Sequence, residues 1–306
     1  MIGLQQILNS SLSLRLVSAL AHWLPPRRGY HIASWVADFI ARQRNSSLVQ
    51  AVRANQWVIT EGALRGETLD WLVRETFREW AHCIFDLYHY MDDPEATRQL
   101  IALEPSFQDL AQRPEFERRG RRRGLVIVGL HLSNFDLVLQ WFCRQGLKPL
   151  VLTIPEPQGG RRMEYEIRRK AGMNLLPAST TALRQAIKHL QQGGVVVTGI
   201  DRPIPDPEIH PHFFGRPAAL PVHHIFIATK ACAPVIVAAA HLQKDEKYHV
   251  FASAPIEMDP YPDRYMGLLR NAEKVLAVAE DFIRRSPQQW SVPLPVWPQI
   301  LDLFPK

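Results

Sequence analysis

The stretch GLVIVGLHLSNFD, Gly124–Asp136, joins an apolar run to a group of polar side chains. Residues 125–130 are almost all apolar and β-branched or leucine, and His131 follows them directly. After His131 come Ser133, Asn134 and Asp136, residue types that are common at helix N-termini. The pattern therefore predicts a buried strand, a short turn and a helix.

Comparable segments recur along the chain after this one. Three further apolar runs read as buried strands: KPLVLTI at 148–154, GVVVTGI at 194–200 and APVIVAAAH at 233–241. Patterns of helical period lie between and around them: 136–144, 164–171, 181–191 and 222–231. This alternation predicts an α/β fold with a mostly parallel central sheet that is flanked by helices on both faces.

The apolar residues before this region have a different spacing. Up to about residue 112 the apolar spacing is helical, with few β-branched runs. We expect a helical N-terminal region at 1–112 and an α/β catalytic region at 113–306, together forming one compact domain.

Charge restricts the classes of partner. The 306 residues include 36 Lys and Arg against 30 Asp and Glu, a net charge of +6 that favours anionic partners. Five of the arginines lie close together in RRGRRRG, Arg118–Gly124. This basic segment is either a solvated linker or, as its density favours, a contact to phosphate or lipid headgroups. We expect no nucleic-acid partner, because no aromatic residues alternate with the basic ones.

The apolar spacing of the first 24 residues predicts an amphipathic helix. Leucines recur every fourth position at residues 4, 8, 12, 16, 20 and 24. Polar residues interrupt the segment too often for a spanning helix, and Arg27 and Arg28 follow the apolar part, unlike the order in a secretory signal. Two positions for this leucine ridge stay open: packed on the body of the protein, or lying in a membrane interface.

Cysteine and histidine usage argues against a metal centre or a disulfide framework. Cys83, Cys143 and Cys232 show no paired spacing, and we expect buried, reduced thiols. The histidines at 210, 212, 223 and 224 lack a carboxylate or thiol at ligand-like spacing, so we predict no metal site.

His131 is the strongest candidate for chemistry, because ligands of parallel sheets bind at the carboxyl ends of strands. Ser133 and Asp136 fit a capping box, with Ser133 as the N-cap and Asp136 in the first turn. In one interpretation these residues only cap the helix. In the other, Asp136 leans back and fixes one nitrogen of His131, leaving the second free as a general base.

A second strand ends in charged residues. The run GVVVTGI leads directly into Asp201 and Arg202, which places polar groups at the same predicted edge of the sheet. We expect one of them within short reach of His131. Arg168 and Arg169, between the two strands, can reach a phosphate or a thioester carbonyl in the same cleft, or simply decorate a helix.

Several familiar catalytic classes are excluded by missing motifs. The chain has no G-x-S-x-G, no G-x-x-x-x-G-K-S/T and no G-x-G-x-x-G. His131 therefore lacks an obvious Ser or Cys partner. A base without a protein nucleophile indicates activation of a substrate hydroxyl or of water.

Five segments in order resemble the lipid A biosynthesis acyltransferase family, including its phosphatidylinositol mannoside acyltransferase relatives. They are HLSNFD, IDRP, FFGRPAALP, ATKACAPVIV and PQQW, and the resemblance extends from the helical prologue to Trp290. It implies a glycerolipid-acyltransferase-like α/β fold, with His131 as general base and Asp136 as its partner. It also implies a fatty acyl thioester donor, acyl-CoA or acyl carrier protein, as co-substrate, and no further cofactor.

The resemblance places the protein peripherally on the cytoplasmic face of the cell (inner) membrane, with a membrane lipid as acceptor and an anionic membrane surface as partner. Ser133 and Phe135 stand where relatives often have Gly and Trp, and WSVPLPVWP lacks the His and Arg that lipid A enzymes usually carry after this Trp. We therefore expect a glycolipid or phospholipid hydroxyl as acceptor, contacted by Ser133, Asn134, Arg168, Arg169, Asp201 and Arg202. The alternatives are an acyl thioesterase with the same base and a non-catalytic membrane lipid-binding protein.

Overall fold

A computed structural model of the chain describes residues 11–108, 117–118, 121–154 and 160–304. The N-terminal part is mainly helical. Its helices are α1 (Ser11–Trp23), α2 (Pro26–Ala41), α3 (Ser47–Ile59), α4 (Gly66–Tyr90), α5 (Pro94–Leu100) and α6 (Pro105–Gln108).

The longest of these helices, α4, is the support on which α1 and α2 pack. Gly29 lets α2 approach closely, because a Cβ added there would lie 2.1 Å from the Phe85 ring of α4. Further along, Ala37 and Ile40 of α2 are buried against Val73 and other apolar residues of α3 and α4. The inner face of the N-terminal region is thus an ordinary apolar helix–helix contact.

The remaining chain alternates strands and helices. The strands are β1 (Ile101–Leu103), β2 (Glu117–Arg118), β3 (Arg121–Arg122), β4 (Leu125–Gly129), β5 (Leu150–Thr153), β6 (Asn174–Pro177), β7 (Val195–Gly199), β8 (His212–Phe213), β9 (Arg216–Pro217), β10 (Val235–Leu242) and β11 (Tyr248–Ala252). The helices are α7 (Phe135–Arg144), α8 (Gly160–Lys170), α9 (Thr180–Gln191), α10 (His223–Ala231) and α11 (Arg264–Arg285), with 3₁₀ turns at Pro287–Gln289 and Pro298–Ile300.

Seven strands form the central sheet in the order β1-β11-β10-β4-β7-β5-β6. Every neighbouring pair is parallel except β10 with β11, which is antiparallel. The predicted α/β fold with a mostly parallel sheet is confirmed, and the four predicted strands and four predicted helices all form within a few residues of their expected bounds.

Both faces of the sheet are covered by helices, which explains the continuous apolar strands. Along β4, Val126 and Val128 face a core shared with α9, α10 and α11. Ile127 and Gly129 point the other way, toward α7 and α8, where a cavity separates the sheet from these helices.

One element of the N-terminal region departs from the sequence prediction. Residues 101–103, expected to be helical, form β1 and pair in parallel with β11 from Tyr248 to Val250. Three residues are too few to give a strand pattern, so only the available edge of β11 selects the extended form. Through this pairing the regions 1–112 and 113–306 share one sheet.

Two leucines of the ridge lie on the outside of the protein. Leu16 is 56% exposed and Leu20 is 53% exposed, while Leu24 packs beside Phe85. Packing of the whole ridge into the body is therefore wrong for these two leucines. Leu4 and Leu8, like residues 119–120 of the basic segment, lie outside the described residues.

Helix α2 extends this outer apolar face beyond what the sequence prediction included. Trp35 is 72% exposed and stacks on Phe39, with Ile32 and Val36 exposed beside them. Trp23, at the end of α1, is 84% exposed. In the part of the chain that the structure describes, no helix combines the length and apolar character needed to cross a bilayer.

The cysteines agree with the prediction at two of three positions. All three are free thiols, and Cys83 and Cys143 are buried. Cys232 is exposed, contrary to expectation, because it occupies the left-handed C-cap of α10 at the surface.

Candidate active site

The candidate site lies at the carboxyl edge of β4 and β7, two adjacent parallel strands. Gly129 of β4 pairs with Gly199 of β7, and each is followed two residues later by a polar residue, His131 and Asp201. The matched register brings these two side chains together. This is the edge at which parallel sheets bind ligands.

The imidazole of His131 is held by the carboxylate of Asp201. His131 Nδ1 lies 2.7 Å from Asp201 Oδ1, and the His131 backbone N–H donates to Asp201 Oδ2 at 2.7 Å. The indole Nε1 of Trp290 also donates to Oδ2, at 2.9 Å. The predicted proximity of Asp201 to His131 is confirmed. No local pattern predicted that Trp290 would complete the arrangement.

Burial and hydrogen bonding together define the charge of Asp201. Burial raises its pKa, but the nearby His131 and the three hydrogen bonds lower it more, so the net pKa lies below its usual value. The side chain is 0% exposed. An ionised carboxylate here keeps the proton on His131 Nδ1 and leaves Nε2 as the ring nitrogen available to a substrate.

Asp136 has a different partner from the one predicted. Its carboxylate accepts from Arg168, with Nε 3.1 Å from both oxygens and Nη2 2.7 Å from Oδ2, and Gln140 donates at 3.3 Å. The expected pairing of Asp136 with His131 is therefore wrong, because Asp136 bonds to Arg168 and His131 bonds to Asp201. Asp136 sits in the first turn of α7, on the side that faces α8, while His131 lies in the preceding turn and faces Asp201.

The cap of α7 also differs from the prediction. Asn134, not Ser133, is the N-cap, and its Oδ1 accepts from Leu137 N at 3.4 Å. Ser133 has φ +52°, outside the extended region that N-cap residues adopt, and its N–H donates to the backbone oxygen of Gln289. Contacts with the segment 289–291 thus shape the turn, so the capping-box spacing alone was misleading.

The arginines divide into two groups. Arg168 and Arg202 line the cavity beside His131. Burial lowers the pKa of Arg168, but Asp136 raises it by more, so this guanidinium stays charged. Arg169 is exposed, and its guanidinium lies 5.9 Å from the centroid of the Tyr165 ring. Of the two arginines predicted on this helix, only Arg168 reaches the cleft.

A cavity of about 510 Å³ opens from His131 and continues between the sheet and helices α7 and α8. Its walls are mainly apolar. Small sheet residues make the room, since a Cβ added at Gly129 would meet no atom within 4 Å, and Ala238 and Ala240 line the same face. The stacked rings of Phe107 and Phe142, 4.9 Å apart, also border it. No Ser or Cys lines the cavity among the described residues.

The other histidines have local partners or none. His223 Nε2 lies 2.9 Å from Thr198 Oγ1, and His212 Nδ1 lies 2.7 Å from Glu273. Both ring nitrogens of His224 are buried without a hydrogen-bond partner in the described structure. Within the described ranges, no three His, Cys, Asp or Glu side chains are grouped so that they could hold a metal ion.

Comparison with known proteins identifies the family. The model of the bacterial lipid A biosynthesis acyltransferases matches residues 19–297. No curated protein sequence matches the chain. Among solved structures, the 1-acyl-sn-glycerophosphate (LPA) acyltransferase PlsC from Thermotoga maritima is similar at 16% identity and a TM-score of 0.36, covering 82% of this chain and 98% of that one. The family match extends over most of the chain and includes both strands that carry His131 and Asp201, so the protein belongs to the bacterial lipid A biosynthesis acyltransferase family and is an acyltransferase.

Proposed function

We propose that the enzyme transfers a fatty acyl group from a thioester, acyl-CoA or acyl carrier protein, to a hydroxyl of a membrane glycolipid or phospholipid. One observation carries this proposal: an oriented imidazole lies at the wall of an apolar cavity whose described lining contains no Ser or Cys nucleophile. Direct transfer without an acyl-enzyme is the chemistry that this combination suits.

In the proposed reaction His131 is the general base, and Asp201, not Asp136, orients it. His131 Nε2 takes the proton of the acceptor hydroxyl as its oxygen attacks the thioester carbonyl carbon. The tetrahedral intermediate then expels the thiolate, which receives the same proton from His131. Asp201 stabilises the transient imidazolium through the Nδ1 bond of 2.7 Å.

The apolar cavity would hold the acyl chain. Each buried methylene contributes about 0.8 kcal/mol, so a long chain gains several kcal/mol from leaving water. Gly129, Ala238 and Ala240 provide the floor of the cavity, and Phe142 stands on its α7 side. The carbonyl would then lie at the open end, beside His131.

The charged groups at the cleft favour the binding of substrates that bear phosphate. Arg168 and Arg202 both line the cavity near His131. Asp136 fixes the Arg168 guanidinium through two oxygens, which presents it in one orientation. In this proposal the two arginines bind the polar part of the donor or acceptor. Asn134 has a different role, as the N-cap of α7.

We further propose peripheral binding to the cytoplasmic face of the cell membrane. The outer faces of α1 and α2 carry exposed large apolar side chains: Leu16, Val17, Leu20, Trp23, Ile32, Trp35, Val36 and Phe39. Exposed Arg15, Arg27 and Arg28 lie on the same two helices or at their junction. An apolar helix face beside basic residues suits an anionic bilayer interface.

The test is an assay with radiolabelled acyl-CoA and acyl carrier protein against extracted membrane lipids. We expect acceptor-dependent transfer that falls by about 10²–10⁴-fold in His131→Ala. Hydrolysis that proceeds equally without acceptor would instead establish a thioesterase. Wild-type protein that binds lipid without turning over either thioester, or a folded His131→Ala variant with full activity, would overturn the proposal.

A further inference from the structure

A chain of buried polar side chains connects α2 and α4 to the turn that carries His131. Tyr30 Oη of α2 donates to Asp86 Oδ1 of α4 at 2.6 Å, and Tyr248 Oη of β11 donates to Asp86 Oδ2. Asn134 Nδ2 in turn donates to Tyr248 Oη at 3.3 Å. Asp86, Tyr248 and Asn134 are 3%, 0% and 3% exposed, so no solvent competes for these bonds.

Asp86 determines which group donates and which accepts in this series of hydrogen bonds. An ionised carboxylate only accepts, so it takes the single hydroxyl hydrogen of Tyr248. The Tyr248 oxygen is then left with lone pairs alone, and these face the Asn134 amide nitrogen. Together with Cys83 O, this oxygen holds Asn134 with Nδ2 toward Tyr248 and Oδ1 toward the start of α7.

The orientation of Asn134 affects the geometry around His131. Its Nδ2 also donates to Cys83 O at 3.0 Å, and its Oδ1 caps Leu137 N. The next residue is Phe135, whose ring meets the His131 ring edge to face at 4.9 Å. Asn134 therefore sets where the turn ends and where this aromatic ring stands against the imidazole.

The other side of the turn is held independently. Ser291 N donates to His131 O, and Ser133 N donates to Gln289 O, at 3.0 and 2.9 Å. Between them, Leu132 and Trp290 form an isolated β-bridge. The bond from His131 N to Asp201 Oδ2 also holds the turn, and the Asn134 side supplies a further constraint.

We propose that Asp86 is a positioning residue for acyl transfer: by accepting the Tyr248 hydroxyl it orients the Asn134 amide, and so the turn that holds His131. The inference rests on the proposed role of His131 as the base. Neither Asp86 nor Tyr248 lines the cavity, so both act through other residues. Misplacement of a base by a fraction of an ångström is costly, since about 1 Å can lower rates roughly 10²-fold.

The structure offers a matched pair of variants. Tyr248→Phe and Tyr30→Phe each remove one phenol hydroxyl from Asp86, but only Tyr248 continues to Asn134. We expect Tyr248→Phe to lower kcat by about ten- to a hundredfold with KM for the acyl thioester within about twofold of wild type. Tyr30→Phe should keep kcat within about twofold of wild type, and the thermal midpoints of both variants should fall by similar amounts.

Asp86→Ala gives the direct measurement. It should lower kcat as Tyr248→Phe does, and the double variant should lose little more, because both interrupt one chain of bonds. Should Asp86→Ala fail to fold, the tyrosine pair still decides. Equal kcat in Tyr248→Phe and Tyr30→Phe, alongside equal loss of stability, would reduce Asp86 to a structural residue and overturn the inference. Failure of the proposed function differs, because His131→Ala would then retain activity.

Discussion

At the scale of single residues, the site depends on which proton donors surround Asp201. Oδ2 receives two N–H donors, from the His131 backbone and Trp290, while Oδ1 faces the His131 ring. This divides the carboxylate into a fixed side and a catalytic side. An asparagine at 201 would keep its oxygen on the side with two donors and turn its NH₂ toward the ring.

We expect Asp201→Asn to lower kcat by about 10³–10⁴-fold. The introduced NH₂ would donate to His131 Nδ1, so the ring proton would move to Nε2 and the base would be lost. The variant should fold, since shape and the two fixed hydrogen bonds are retained. Steady-state acyl transfer and circular dichroism check both statements.

The control for this prediction is an Asp–His pair elsewhere in the molecule. Asp245 Oδ2 lies 2.9 Å from His249 Nε2 at the surface. Asp245→Asn should leave transfer within about twofold of wild type, because exposed pairs contribute little. Activity in Asp201→Asn equal to that of the control would remove Asp201 from the mechanism.

At the scale of elements, the strand β4 contributes both the base and the space for the acyl chain. Gly129 has no positive φ and faces open cavity, so a larger side chain is accepted by the backbone and occupies the space. We expect Gly129→Val to shorten the preferred acyl chain. Each methylene excluded costs about 0.8 kcal/mol, or roughly fourfold in kcat/KM for long-chain donors.

The reciprocal variant enlarges the same cavity. Phe142→Ala removes one of two stacked rings at its border, and it should raise relative activity toward longer chains. A series of acyl-CoA donors of increasing length measures both variants. Unchanged chain-length profiles in the two variants would place the acyl chain elsewhere.

The helix pair α1–α2 yields a separate prediction about membrane binding. Trp35 and Phe39 are exposed and stacked, so their replacement removes apolar contact with lipid and little with the protein. We expect Trp35→Ala with Phe39→Ala to weaken binding to anionic liposomes by roughly tenfold or more, since each buried aromatic is worth about 1.5–3 kcal/mol. Flotation at low and high salt measures it.

An exposed aromatic on a helix other than α1 and α2 provides the control. Tyr265 of α11 is 49% exposed, and Tyr265→Ala should leave liposome binding unchanged. If the Trp35 and Phe39 variant floats as well as the control, the outer face of α1–α2 is not the membrane contact.

At the scale of the whole molecule, buried histidines connect stability to pH. Burial lowers the pKa of His223 and of His241 to about 4 and that of His224 well below its usual range. The unfolded chain therefore binds protons first as pH falls, and stability is lost progressively below the unfolded pKa of about 6.5. Burial acts oppositely on the acids, raising the pKa of Asp86 to about 6 and of Glu79 to about 7.

We expect His224→Leu to reduce the loss of stability between pH 6.5 and 4. A histidine that is buried uncharged lets the unfolded state bind up to one proton more than the folded state. This changes the free energy of unfolding by about 1.4 kcal/mol per pH unit, and removing His224 takes the contribution away. Both ring nitrogens of His224 lack partners in the described structure, so no hydrogen bond is sacrificed. Denaturant unfolding across this pH range measures the slope, and parallel slopes for variant and wild type would contradict the expectation.

Local patterns along the chain were enough to predict the alternation of strands and helices and two of the polar residues at the strand ends. His131 and Asp201 could be predicted because each directly follows an apolar run, a local pattern that survives in any parallel arrangement. The bounds of the helices could be predicted because they also depend on a local pattern. Their apolar spacing reflects one face buried against the sheet, whichever strand lies beneath.

Which carboxylate meets the imidazole depends instead on which strands lie side by side. Asp136 is five residues from His131 and Asp201 is seventy, yet the adjacency of β4 and β7 makes the distant residue the partner. Likewise, Trp290 completes the site through a bridge with Leu132, and β1 forms because β11 offers an open edge. Hydrogen-bond partners and edge strands depend on which segments become neighbours in space, and the lateral order of strands has no counterpart in the local pattern of the chain.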